Sequence, residues 1–157
     1  MERTLEVNDQ ITIGGQPSEA ELMDLGSRGF RSIVNFRNAD EDDHSLSPDF
    51  EGDIVKAGGM TYVHIPVTMK AMDARQVDEF RSRYPDLPKP VFGHCKSGKR
   101  AGAMALMMLA VADGITGDQA IQRAEELRID CDQPELKAFI IKYVDSHLKS
   151  PPMTLSN

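Results

Sequence analysis

His94, Cys95, Lys96, Ser97, Gly98, Lys99 and Arg100 form one unbroken run, and their types describe a nucleophile set in an anion site. The thiolate is the reactive form of cysteine, so a catalytic cysteine needs surroundings that stabilise negative charge on sulfur. The charge pattern supplies them: from Leu87 to Ala112 there is no Asp or Glu, whereas Lys89, Lys96, Lys99 and Arg100 all fall inside that window. The run also sits between a short apolar strand at Val91 and Phe92 and an alanine- and methionine-rich helix expected over residues 100–112. Strand, loop and helix in that order aim the loop amides and the positive end of the helix axis at Cys95. An inert core cysteine needs none of these neighbours.

The elements that hold such a loop can be followed along the chain. Ile11 and Ile13 alternate around Thr12 and stop at Gly14-Gly15, as a strand does. Ser18 with Glu21 three residues on is a helix start, with Leu22 and Leu25 facing inward and Gly29 as the stop. A short core strand is expected over 32–37, ending in polar Asn35 and Arg37, and the acidic run Asp40 to Asp43 after it reads as a solvated loop. A weak helix over 47–58 has Phe50, Ile54 and Val55 available to share a face. An alternating strand follows at 61–67, with His64 in its middle, and Asp73 can cap the next helix, whose Val77 and Phe80 face the core. Residues 85–90 form a proline-stiffened turn before the central motif. Two amphipathic helices over 118–129 and 134–148 follow it, then a frayed tail from Ser150. Strands near 11, 32, 61 and 91, separated by helices, predict a three-layer α/β sandwich: a small, mostly parallel sheet flanked by helices.

Composition bounds what the site can serve. The chain has 157 residues, 40% hydrophobic and 27% charged, which is enough for one domain over 1–157 with its own core. A net charge of -7 argues against nucleic-acid binding, so the basic loop is a pocket for a small anion. No apolar run is long enough for a membrane span, and the first residues lack a signal core, so a cytoplasmic location is expected. Two cysteines make no disulfide scaffold. Cys131 could resolve an adduct on Cys95 only if folding brings the two together. The acidic run lacks the spaced His or Cys of a metal site, so neither metal nor cofactor is expected. Oligomeric state is not legible.

The segments ITIGGQPS, GFRSIVNFR, YVHIPV and HCKSGKRA, spread over a core of residues 8–112, resemble the phosphatase-like domain family of beta-lactamase-hydrolase-like proteins. That family is a branch of the cysteine-dependent dual-specificity phosphatase fold. The resemblance implies Cys95 as nucleophile, Arg100 as the residue closing the loop on the anion, and backbone amides of residues 96–100 as its cradle. Lys96, Ser97, Gly98 and Lys99 would line the anion site with His94 in support, and Arg37, at a strand end beside the acidic run, could line its mouth or make a surface ion pair. Two departures stand out. The phosphatase pattern places arginine six residues after cysteine, whereas here position 101 is Ala101 and Arg100 stands five after Cys95, the spacing that rhodanese-like sulfurtransferases use. The phosphatases also carry an aspartic general acid near the positions held here by Thr68 and Met69. Asp73 is the nearest carboxylate, a candidate acid that has an equally good role as a helix cap.

On those departures the favoured expectation is a sulfurtransferase, in which Cys95 takes the outer sulfur of thiosulfate or a persulfide and passes it to a thiol acceptor. The alternative is a phosphatase that cleaves a phosphorylated substrate through a phosphocysteine. A third possibility is a silent module that binds the anion and turns nothing over.

Overall fold

A computed structural model describes residues 4–40 and 46–148. Five strands form one sheet: β1 (Thr4–Glu6), β2 (Ile11–Gly14), β3 (Ser32–Asn35), β4 (Thr61–His64) and β5 (Val91–His94). They lie in the order β1-β2-β5-β3-β4, parallel throughout except for the antiparallel edge pair β1 and β2. β5 is therefore central, and its carboxyl end opens between β2 and β3. In parallel sheets the strand ends beside such a switch in order are where ligands bind.

Six helices cover the sheet: α1 (Glu19–Ser27), α2 (Pro48–Ala57), α3 (Ala74–Arg83), α4 (Lys99–Asp113), α5 (Gly117–Leu127) and α6 (Pro134–Ser146). Their starts are written in the sequence. Ser18 and Thr116 each accept a backbone amide within a capping box, and Asp73 does the same for α3 with Gln76 returning the bond. On one face, Leu22 and Leu25 of α1 and Val55 of α2 pack on Ile33, Met60 and Phe92. On the other face, α3 to α6 bury a far larger apolar cluster that includes Val34, Phe36, Val77, Phe80, Met104, Leu106, Met107 and Ile140. The expected three-layer sandwich with a mostly parallel sheet is the architecture found.

The differences from expectation have local causes. β1 carries too little apolar pattern to be read as a strand, and its side chains are largely exposed at the sheet edge. The strand expected over 61–67 loses ladder geometry after His64. Ile65 and Val67 nevertheless still donate to the Asn35 and Phe36 carbonyls. In α2 the buried side is Pro48, Glu51, Gly52 and Val55, so Phe50 turns outward and is 49% exposed. Gly52 allows this rotation, because a Cβ there would stand 2.9 Å from the Tyr62 ring. Three of the four residues expected in the acidic run, those after Asp40, and the tail from Ser150 lie outside the described residues. Among the described residues no helix is long and apolar enough to cross a membrane.

Candidate active site

The loop between β5 and α4 wraps around the Cys95 sulfur. Sγ accepts the amide of Gly98 at 3.1 Å and that of Ala101, in the first turn of α4, at 3.4 Å. Amides at a helix start have no partner inside the helix, so they are available to an anion, and here they face the sulfur. Gly98 occupies the left-handed region with φ at 100°, which a side chain would strain.

The turn after β2 supports the loop backbone to backbone. Gln16 N donates to the Lys96 carbonyl at 3.1 Å, and Cys95 N donates to the Gly14 carbonyl at 3.4 Å. A Cβ on Gly15 would stand 2.9 Å from the Lys96 carbonyl oxygen, so the two segments touch only because residue 15 is glycine. The GGQ run after the first predicted strand is thus part of the site.

The cations divide into near and far. Arg100 Nη1 donates to the Val67 carbonyl at 2.9 Å, which ties the start of α4 to the segment after β4. Lys96 and Ser97 are exposed on the loop, and Lys99 is half-buried with its ammonium 3.6 Å from the Asp130 carboxylate. Lys89 does not belong here: it precedes β5, at the opposite end from the loop, and donates to the Tyr84 and Leu87 carbonyls.

Arg37, expected at the mouth or in a surface ion pair, is instead 2% exposed. It donates to Gln16 Oε1 at 2.8 Å and to the Leu46 carbonyl at 3.4 Å. Beneath the loop His94 is fully buried, with Nε2 2.6 Å from Glu51 Oε2 and Nδ1 3.3 Å from the Cys95 carbonyl oxygen. Gln16 Nε2 donates to the other Glu51 oxygen at 2.8 Å. Glu51 and Gln16 were not singled out from sequence. Glu51 follows Pro48 by three and precedes Val55 by four, a spacing that marks the inward stripe only once the rotation of α2 rules out the stripe of Phe50 and Ile54. His64 reaches the Arg37 carbonyl with Nε2 at 2.5 Å and takes no part in the loop.

Asp73 caps α3 by accepting Arg75 N at 2.9 Å, and its carboxylate pairs with the Arg75 guanidinium at 2.8 Å. The guanidinium bond first, then the amide bond, holds the Asp73 carboxyl below the usual carboxylate range. Thr68 Oγ1 accepts from Asn38, and Met69–Ala71 is a single 3-10 turn. Cys131 is a free, buried thiol whose pKa is raised by burial first and by Asp132 next. Among the described residues no group of three His, Cys, Asp or Glu is arranged to hold a metal ion.

A family of known proteins matches nearly the whole of this frame. The family described as "DSP-PTPase phosphatase fused to NAD+ Kinase" matches residues 2–139. A beta-lactamase hydrolase-like protein of Agrobacterium fabrum is 31% identical over 123 residues, which are 78% of this chain and 27% of that protein. The chain thus spans little more than a quarter of that relative's length. Among solved structures, a candidate phosphatase from Shewanella putrefaciens CN-32 superposes with a TM-score of 0.75 at 24% identity, covering 92% of each chain. The kinase-associated phosphatase superposes with a TM-score of 0.74 at 16% identity, covering 94% of this chain and 96% of that one.

These matches overturn the expected sulfurtransferase, its sulfur donor and its thiol acceptor. The family model and the curated relative carry phosphatase and hydrolase descriptions, and the phosphatase structures share the fold over 92% and 94% of this chain. The one-residue offset of Arg100 does not change the family. It fixes where one long, flexible side chain starts, whereas the chemistry depends on everything that converges on the loop.

Proposed function

The chain belongs to the family described as DSP-PTPase phosphatase fused to NAD+ Kinase, and from that premise we propose that it hydrolyses phosphomonoesters through a phosphocysteine at Cys95. The observation that carries this reading is the Cys95 sulfur facing the Gly98 and Ala101 amides at the start of α4. Cys95 thiolate attacks phosphorus; the S–P bond forms as the bond to the leaving oxygen breaks, and the leaving group departs as an oxyanion that takes its proton from solvent. Water then attacks the phosphocysteine, the S–P bond breaks, and inorganic phosphate leaves as the thiolate is restored. Little covalent chemistry falls to the protein beyond that attack, so its main task is to stabilise charge on the three equatorial oxygens. Loop amides of residues 96–100 and the forked donors of Arg100 serve that task, with Lys96 and Lys99 drawing the anion in.

Asp73 is the carboxylate nearest in sequence to the usual acid position, but its cap and its Arg75 pair both favour the ionised form. A proton donor needs the opposite bias. Asp73 therefore reads as a positioning residue for α3, and substrates whose leaving oxygen needs no proton are turned over best.

The test uses aryl phosphates graded by leaving-group basicity. Rates should fall steeply as the leaving group becomes more basic, and Cys95→Ser should abolish turnover. Intact mass of the quenched wild type should show one added phosphoryl group, absent in Cys95→Ser. Hydrolysis that survives Cys95→Ser would overturn the reading. Asp73→Asn should change every rate by less than about threefold. A loss of about 10²-fold confined to poor leaving groups would make Asp73 the acid after all.

A further inference from the structure

Glu51 is a carboxylate with no exposed side-chain surface, on a helix otherwise held by apolar contacts, and stability does not explain it. A buried charge costs several kcal/mol, on the order of what its partners return, and a hydrophobic side chain of similar shape is often as stable. Its value must lie in what it holds. Oε2 is 2.6 Å from His94 Nε2, and Oε1 accepts Gln16 Nε2 at 2.8 Å. Gln16 in turn accepts Arg37 Nη1 with its own oxygen and donates its backbone amide to the Lys96 carbonyl. One carboxylate thus joins α2, the end of β5 and the turn after β2 at the base of the Cys95 loop.

The proton count under the loop follows from the partner atoms. The Cys95 carbonyl oxygen can only accept, so the His94 Nδ1 that faces it carries a proton. The Glu51 oxygen facing Nε2 requires a second proton between them. Both ring nitrogens are then committed, one to the loop backbone and one to α2, and His94 cannot turn toward the sulfur as a base. Without Glu51 a neutral ring has a single proton to place on either nitrogen, and the bond to the Cys95 carbonyl is no longer enforced.

We infer that Glu51 is a positioning residue for the active-site loop, acting through His94 on the backbone of Cys95 and through Gln16 on that of Lys96. This rests on reading Cys95 as the nucleophile of a phosphatase. The experiment compares wild type with Glu51→Gln in three measurements: ring-nitrogen NMR of His94, the dissociation constant for tungstate as a phosphate-like oxyanion, and kcat for an aryl phosphate. Wild type should show a proton on or shared with each His94 nitrogen. In folded Glu51→Gln one ring nitrogen should lose its proton, tungstate should bind about 10-fold more weakly, and kcat should fall about 10- to 100-fold. Ring signals, tungstate binding and kcat all within about twofold of wild type would overturn the inference. If Glu51→Gln does not fold, Gln16→Leu carries the test, because it leaves the His94 arm in place while removing the Glu51 and Arg37 contacts of Gln16. Tungstate binding weakened about threefold supports the inference, and unchanged binding overturns it. Wild type that binds tungstate but cleaves no phosphomonoester would sink the proposed function. Glu51 would then be judged on tungstate and the His94 signals alone.

Discussion

The two helical layers rest on the same five strands but differ in what they bury. The layer of α3 to α6 is thick and apolar: nine residues of α4 are buried, and all of them are Ala, Gly, Met or Leu. The layer of α1 and α2 is thin, with a small apolar cluster and a groove of about 660 Å³ beside exposed Met23 and Phe50. Yet this thin layer sends Glu51 beneath the Cys95 loop, where Asn35, Arg37, Glu51 and His94 are buried together. The hydrophobic effect is non-directional, whereas hydrogen bonds have direction. The thick side therefore secures the fold, and the thin side orients the site.

Four measurements would break or sharpen this division. The largest effect on stability should come from Phe80→Ala. Phe80 is fully buried between Phe36 and Tyr84, with ring centroids 5.1 and 5.7 Å away. The change should cost about 3–5 kcal/mol in urea unfolding, with turnover per folded molecule unchanged. Activity lost beyond the unfolded fraction would show that the thick side also shapes the loop. Arg100→Lys is the mirror image. Turnover of aryl phosphates should fall about 10²-fold while the urea midpoint stays put, because a point charge does not replace a fork of donors. Near-normal turnover would remove Arg100 from the site.

Gly15→Ala should come next. The added methyl meets the Lys96 carbonyl, a backbone atom that cannot swing aside, so the loop must shift. About a tenfold loss of kcat is expected, and normal kinetics would mean that the turn after β2 does not hold the loop.

The smallest effect is in alkali. All three tyrosines are raised by burial, Tyr143 from 10.0 to about 12, with its hydroxyl donating to Asp78. A raised folded-state pKa stabilises the fold fully below the unfolded value and loses that contribution as pH rises through the folded value. Phenolate absorbance at neutral to mildly alkaline pH should therefore be absent. It should appear above about pH 10, together with loss of near-UV dichroism. Early phenolate formation in the folded protein would contradict the burial.

What could be read in the sequence was what local chain chemistry determines. Cys95, Gly98 and the start of α4 fall within seven consecutive residues, so strand, turn and helix signals fix their mutual geometry without help from the rest of the fold. The caps at Ser18 and Asp73 were legible for the same reason. Glu51 was not, because a carboxylate in an acidic amphipathic stretch looks solvated until the rotation of its helix is known. That rotation depends on Gly52 meeting Tyr62, ten residues away. Arg37 is alike: the buried guanidinium meets Gln16, twenty-one residues earlier. The chemistry was misread because one spacing inside the loop was set against the fold that surrounds it.

Strand order has a bearing on how the molecule is made. β1 pairs with β2 and β3 with β4, but the two pairs are not hydrogen-bonded to each other; β5, the last strand among the described residues, lies between them. A chain that ends before Val91 can pair β1 with β2 and β3 with β4 but cannot join the two pairs into one sheet. The strand that welds them into one sheet ends in His94 and delivers Cys95 with it. Closing the sheet and placing Cys95 between the two pairs are therefore one structural event.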